Sequence, residues 1–444
     1  MDGARKANNV MRKAPLTNWA ARHSAHRTTT GAPKKKQPYP WRTTMLTRHL
    51  ASLLTGSALL AGSLLFAGTP AEDLLATTDK SFEALVTMGD KAESTPNPKG
   101  GKPTLNPVAY EAICLAFADA SFVPAKEYYR IAPCNASKAL DALRKNYLLP
   151  RKVDFIPRLL AHPAAPVRAY AVQLLSSGYV SRRADAHKLI VPLLTSEKEP
   201  GVQASIIRNF AGDAYSQPDI AAFILRMLSS DDPQLRACAT HYTCHAARNA
   251  KVKDLTAKIA ELIVQDPDEN VRTVACELAG NLGLDLFVEP LAKVLAGDND
   301  HLRARALRSA ICLWWNFPFF TNHSEAGYRL TLKVLPEIAK LQGKPDSHYH
   351  VALSFITPKT SSKRTQDKFA AAAPWYKPEE VQAALLPLLH AQQFSFLVTN
   401  NVIKALHTHG YTKEQLTAEV EKLKAEGVKD FYIKSYTTTI EKLR

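Results

Sequence analysis

Between residues 151 and 316 the apolar positions recur on two scales. Within short stretches they fall three and four residues apart, the spacing of one face of a helix. Over longer distances the whole pattern returns. "VRAYAVQLL" opens at Val167, "VQASIIRNFA" at Val202, "LRACATHYTC" at Leu235, "VRTVACELAG" at Val271 and "LRARALRSAI" at Leu302, and successive openers stand 35, 33, 36 and 31 residues apart. A period of this length marks stacked supersecondary units. Four residues after each opener comes Ala171, Ile206, Ala239, Ala275 or Ala306. Opener and follower share one helical face, and four of the five followers are small enough for close helix packing.

Each copy is preceded by a turn and another amphipathic stretch. "VDFIPRLLA", "AHKLIVPLLTS", "IAAFILRMLSS", "LTAKIAELIVQ" and "LFVEPLAKVLAG" lie upstream of the five openers. In the turns, Asp232 and Asp268 fall three residues ahead of an opener, where a helix N-cap belongs. Pro233 and Pro200 take a first helical position, where proline is tolerated. The unit predicted is helix, short turn, helix. Neither helix buries its apolar face alone, so the units must stack.

The flanks are less regular. In residues 72–150 a Pro/Gly loop, "TPNPKGGKPTLNP", precedes two helical stretches, "VAYEAICLAFADASF" and "ASKALDALRKNYLL". They are expected to form a helical cap over the open end of the stack. After the fifth copy, "LWWNFPFF" places five aromatics (Trp314, Trp315, Phe317, Phe319, Phe320) within seven residues, expected to fill the junction where the regular stack ends. Residues 317–444 follow as a divergent helical region, with one helical pair from Pro378 to Gly410 and an amphipathic helix closed by Gly427.

The first 44 residues have no apolar period and are rich in Lys, Arg, Thr and Pro, a composition that stays disordered. From Met45, Arg48 and His49 lead into an apolar run from Leu50 to Gly68 and then to small residues and Pro70. That is the layout of a secretory signal peptide over 45–71, with cleavage after Ala67 or Ala71. The alternative is a membrane anchor at 50–68. An exported protein, periplasmic or secreted, is the expectation, and 1–44 is then an upstream extension or a misassigned start. Charge supports this division. The chain carries a net +16, yet residues 1–50 hold 11 Lys/Arg and one acid, which leaves 46 basic against 40 acidic residues beyond them. That balance points to no polyanionic partner. In an exported protein the six cysteines permit disulfides, and Cys114 with Cys134 is the expected pair. Cys238, Cys244, Cys276 and Cys312 lie in helical text, where cysteine serves as a small hydrophobe.

One polar position also repeats. The residue after the opener is Arg168, Gln203, Arg236, Arg272 and Arg303. A cation in a helix's first turn opposes the helix dipole unless something offsets it. A row of four along the stack is expected to pair with acids of adjacent turns, Asp232, Asp268 and Asp298, as a structural ladder.

"DPDENVRTVACELAGNLG" and "DDPQLRACA" carry Asp-Pro-x-x-Val/Leu-Arg followed by spaced alanines, and in the first also Leu-Gly. Over residues 151–316 the chain resembles the HEAT-repeat family, in particular the bacterial HEAT-like group also found in phycobilisome lyases. It departs at Ala164, which replaces the capping acid, and at Gln203. The resemblance implies a right-handed α-solenoid of helix pairs with divergent helical caps, whose inner helices line a concave face for protein partners.

Reaction chemistry is sparse. There is no Gly-rich phosphate loop, no Gly-x-Ser-x-Gly elbow and no His-Glu-x-x-His. "CATHYTCH" sets His241 and His245 one turn apart, a weak metal candidate, but alignment of the copies turns both toward solvent. "SHYH" (His348, His350) and "HTHG" (His407, His409) are weaker pairs. Six residues after each opener stand Gln173, Arg208, His241, Glu277 and Arg308. This polar row of mixed charge suits a protein or peptide surface. The function expected is a non-enzymatic scaffold with no cofactor. The alternatives are a metal-dependent or enzymatic module on the His241/His245 face, and a nucleic-acid binder using Arg208, Arg248, Arg305 and Arg308.

Overall fold

A computed structural model describes residues 68–98, 100–125, 129–151, 153–176, 183–243, 253–316, 321–343, 345–357 and 363–443. They belong to one compact unit that begins at Gly68. Helix accounts for 69% and strand for 3%, about twice the usual helical share, so the fold is all-α. The segments 1–67, 177–182, 244–252 and 317–320 lie outside the described residues, and with them the basic extension, most of the signal or anchor segment, Cys244, His245, Arg248, Phe317, Phe319 and Phe320. No helix among the described residues is long and apolar enough to cross a membrane.

The N-terminal part comprises α1 (Pro70–Ala76), α2 (Phe82–Lys91), α3 (Pro107–Leu115), an antiparallel hairpin of β1 (Phe122–Pro124) and β2 (Tyr129–Ile131), and α4 (Asn135–Leu143). The hairpin departs from the helical reading of this flank. The stretch from Val108 to Phe122 leaves helix at Leu115, passes through a 3-10 turn over Ala116–Asp119, and enters β1 at Phe122.

The repeated text then forms helix pairs: α5 (Ile156–Leu160) with α6 (Ala165–Ser176), α7 (Arg183–Ser196) with α8 (Pro200–Phe210), α9 (Pro218–Met227) with α10 (Pro233–Tyr242), α11 (Lys253–Gln265) with α12 (Glu269–Leu282), and α13 (Val288–Leu295) with α14 (Asp300–Trp314). All five openers and their followers are buried. Asp232 caps α10 through the Gln234 N–H at 2.8 Å, Asp268 caps α12 through the Val271 N–H at 3.0 Å, and Asn299 does the same for α14. Beyond the regular text come α15 (Glu325–Ala339), α16 (His348–Ser354) and α17 (Lys363–Ala372), and then two packed pairs, α18 (Pro378–Leu389) with α19 (Phe396–Thr408) and α20 (Lys413–Ala425) with α21 (Asp430–Glu441).

Second helices pack on one another in order, α6 on α8, α10, α12, α14, α16, α19 and α21, while α7, α9, α11, α13, α15 and α18 pack as a neighbouring row. Small side chains let the second helices approach closely. Ser205 donates to the Ala169 carbonyl of the preceding copy at 2.9 Å, and the Cys238 thiol, three residues after its own opener as Ser205 is, faces Ala204 O at 3.9 Å. A Cβ on Gly280 would lie 2.9 Å from the Ser309 Cα of the next second helix, so α12 and α14 meet almost backbone to backbone.

Trp314 and Trp315 are buried. They pack with Tyr328, Tyr376, Phe369 and His409 where α14 gives way to the C-terminal pairs.

Candidate functional site

A groove of 280 Å³ opens where the hairpin and α4 meet α6 and α8. Its apolar walls include Phe117, Phe122, Ile131, Leu140 and Tyr170, and the Phe117 and Tyr170 rings stack at 4.2 Å. Gly201 permits the arrangement: a Cβ there would sit 2.4 Å from the Phe122 ring. The Tyr129 hydroxyl donates to Asp232 Oδ2 at 2.9 Å, tying the hairpin to the turn before α10. Burial, and then the Asp232 carboxylate, push the Tyr129 hydroxyl above its ordinary pKa. Arg130, Arg144 and Arg208 also line the groove, with Gln173 beside them and Asp141 as the acid among its lining residues. Arg144 pairs with Asp141 at 3.0 Å. Three arginines and one acid lining a groove with aromatic walls suit a ligand that carries an anionic group and an apolar body.

The polar row divides. Gln173 and Arg208 share this groove, and His241 is exposed with its ring edge-on to Tyr242 at 4.8 Å. Glu277 and Arg308 are instead half-buried and joined: Arg308 Nη1 lies 3.2 Å from Glu277 Oε1, Arg305 pairs with the same oxygen, and the Arg308 guanidinium lies 4.4 Å from the Phe355 ring centroid. The expectation that the row is exposed throughout is corrected at these two positions. The second helices pack so closely there that opposite charges six residues after consecutive openers reach each other.

The arginine ladder is corrected in its partners. Arg168 forms two hydrogen bonds to Glu197, at 2.7 and 2.9 Å, and Arg236 forms two to Asp266, at 2.7 and 2.8 Å. Each arginine also donates to two carbonyls of the turn before its own helix, His162 and Pro163 for Arg168, and Ser230 and Asp231 for Arg236. The acids are not the expected ones. Asp232 and Asp268 cap their own helices, and Asp298 is exposed. Arg272 and Arg303 have no ion pair among the described residues, and the Nε of each is buried without a hydrogen-bond partner there. The reason is positional. Glu197 and Asp266 each follow the last residue of the next first helix, a place held by Ala296 for Arg272 and Lys340 for Arg303. That acid is the signal the sequence carried: a carboxylate immediately after the first helix, matched to an arginine one copy earlier. Burial opposes ionisation of Glu197, but hydrogen bonds from Arg168 and the Glu199 N–H outweigh it and hold its carboxyl below the ordinary value.

The expected Cys114–Cys134 bridge is absent: both are free. Cys114 sits in the core face of α3, where burial raises its thiol pKa well above the ordinary value, and Cys134 stands at the start of α4 with its sulfur 3.8 Å from the Ser137 hydroxyl. Burial also pushes Cys276 and Cys312 up to about 12, so neither thiol is nucleophilic. The metal candidate His241/His245 lies partly outside the described residues. Among those described, His301, Asp346 and His348 form the one group of three with donor atoms close enough to share an ion.

No protein-family model matches the chain, and no curated protein matches it. Among matching solved structures, the crystal structure of an engineered protein is 14% identical, covers 57% of this chain and 94% of its own, and has a TM-score of 0.31. At that score the likeness carries no argument about fold or function.

Proposed function

We propose that the chain is an exported, non-enzymatic scaffold, built as a right-handed HEAT-like α-solenoid, that binds a protein or peptide partner through acidic side chains. The stacking of second helices on one another in sequence order, with first helices in a neighbouring row, supports the solenoid. The observation that carries the binding reading is that Arg130, Arg144 and Arg208 line one groove whose walls include Phe117, Phe122 and Tyr170. Its arginines suit holding an anion rather than moving a proton at neutral pH. A volume of 280 Å³ admits one or two side chains of a peptide.

The test starts from immobilised full-length chain and a random peptide library. Selected peptides should be enriched in Asp and Glu next to an aliphatic or aromatic residue. A labelled peptide of that kind should bind R130E/R208E at least tenfold more weakly, at unchanged melting temperature, because both positions are exposed. Equal binding by the double variant would remove the groove as the site.

A further inference from the structure

The trio His301, Asp346 and His348 is assembled from text 45 residues apart. His301 is the second residue of α14, Asp346 lies in the turn before α16, and His348 is that helix's first residue. One carboxylate oxygen faces each imidazole: His301 Nδ1 is 3.5 Å from Asp346 Oδ2, and His348 Nδ1 is 2.5 Å from Oδ1. The rings stand nearly perpendicular, 88° apart, with centroids 4.5 Å apart. Behind them Asp300 clamps the turn, accepting the Tyr349 hydroxyl at 2.7 Å and the Asp346 N–H through its other oxygen. Tyr349 is fully buried, so the turn that carries two donors is anchored to the start of the helix that carries the third. The Asn401 side chain adds a second tie, donating to the His350 carbonyl at 2.7 Å.

We propose that this trio binds one divalent transition-metal ion, zinc before others, as a joint between α14 and α16. Two imidazoles and one carboxylate form a donor set that favours zinc, cobalt, nickel or copper over magnesium or calcium, which prefer all-oxygen shells. The three donor atoms lie within 4.8 Å of one another. Around a tetrahedral zinc they would stand about 3.3 Å apart, within reach of small side-chain rotations. The side chains are 30%, 25% and 35% exposed, which leaves room for water as a fourth ligand. Asp300 is the outer-shell group that fixes the turn. Such an ion would connect the last of the regular copies to α16 in the divergent region, and is therefore structural in effect.

The chain has 14 histidines, so the experiment must place the ion as well as count it. Full-length chain stripped by a chelator and freed of it is titrated with zinc alone in a calorimeter, beside H301A, D346N and, as a control, H241A. One zinc per chain is expected, bound at least tenfold more weakly by H301A and D346N and unchanged in H241A. Because a substitution in the turn can disturb folding, the unaltered chain is also treated with a histidine-acylating reagent with and without zinc. Zinc should protect His301 and His348 while His390 and His407 react as before, and magnesium should protect neither. Undiminished zinc affinity in H301A, or acylation of His301 and His348 that ignores zinc, overturns the site.

Discussion

At the scale of single residues, two arginines in the same repeat position have different surroundings. Arg236 is 11% exposed and its partner Asp266 1%, and the Asp266 carboxylate also accepts the Asp268 N–H. Removing the guanidinium strands a buried charge, so Arg236→Ala should cost ~3–5 kcal/mol. Arg272→Ala removes no ion pair among the described residues and should cost less than about 1 kcal/mol. Urea titrations followed by circular dichroism would compare them, and equal shifts would mean the Asp266 pair is not what distinguishes the two. His409 is a second buried polar residue with a defined role. Its Nε2 lies 3.2 Å from the Ile356 carbonyl and therefore carries the proton, while Nδ1 accepts the Tyr376 hydroxyl at 2.7 Å. Burial lowers its pKa to about 4, against an ordinary value of 6.5. The unfolded chain then binds one more proton than the folded chain between those values. Its contribution is complete above pH 6.5 and is lost as pH falls toward 4, on the order of 3 kcal/mol in all. His409→Gln keeps a donor and an acceptor and should flatten that part of the stability–pH curve; an unchanged slope would show that other groups set it.

At the scale of elements, α1, α2, α15, α16 and α17 were not singled out, whereas the helices of the repeated text were legible because the same apolar face returns from stretch to stretch. The capping acids before Leu235 and Val271 marked where two of them begin. The hairpin was not legible. Its strands have three residues each, too few for alternation to separate them from the end of a helix, and its partner surface comes from α8, some 80 residues on. Its docking depends on the missing side chain at Gly201. Gly201→Ala should push the Phe122 ring out, loosen the hairpin and weaken peptide binding in the groove, at a cost of about 1–3 kcal/mol. Phe122→Ala should relieve much of that clash, so the double variant should be less destabilised than the two single costs added together. Strict additivity would mean the hairpin does not rest on that contact.

At the scale of the whole molecule, the start of the folded unit bears on processing. Thr69 and Glu72 form a capping box, Pro70 begins α1, and Ala71 is buried. Cleavage after Ala71 would remove the cap and a core residue, whereas cleavage after Ala67 would leave both. A protein exported from Met45 should therefore begin at Gly68. N-terminal sequencing of the mature protein would decide, and a mature chain beginning at residue 1 would end the export reading.

What the sequence determined by itself was what depends on period and local chemistry: an all-α chain, the burial of the five openers and their followers, and helix starts at capping acids and prolines. These are local because a helix face and an N-cap involve residues within a few positions of each other. Tertiary structure alone decided what joins distant text. It paired Arg168 with Glu197 and Arg236 with Asp266 while leaving Arg272 and Arg303 without such a partner, because the acid in question belongs to the next unit and only packing brings it within reach. It turned Glu277 and Arg308 toward each other, gathered Arg130, Arg144 and Arg208 around one groove, and set His301 against Asp346 and His348. In each case the residues are separated by a dozen or more positions: stacking of second helices brings neighbouring turns side by side for the ion pairs and the histidine trio, and docking of the hairpin and α4 on α6 and α8 makes the groove, contacts beyond the reach of any one helix face or cap.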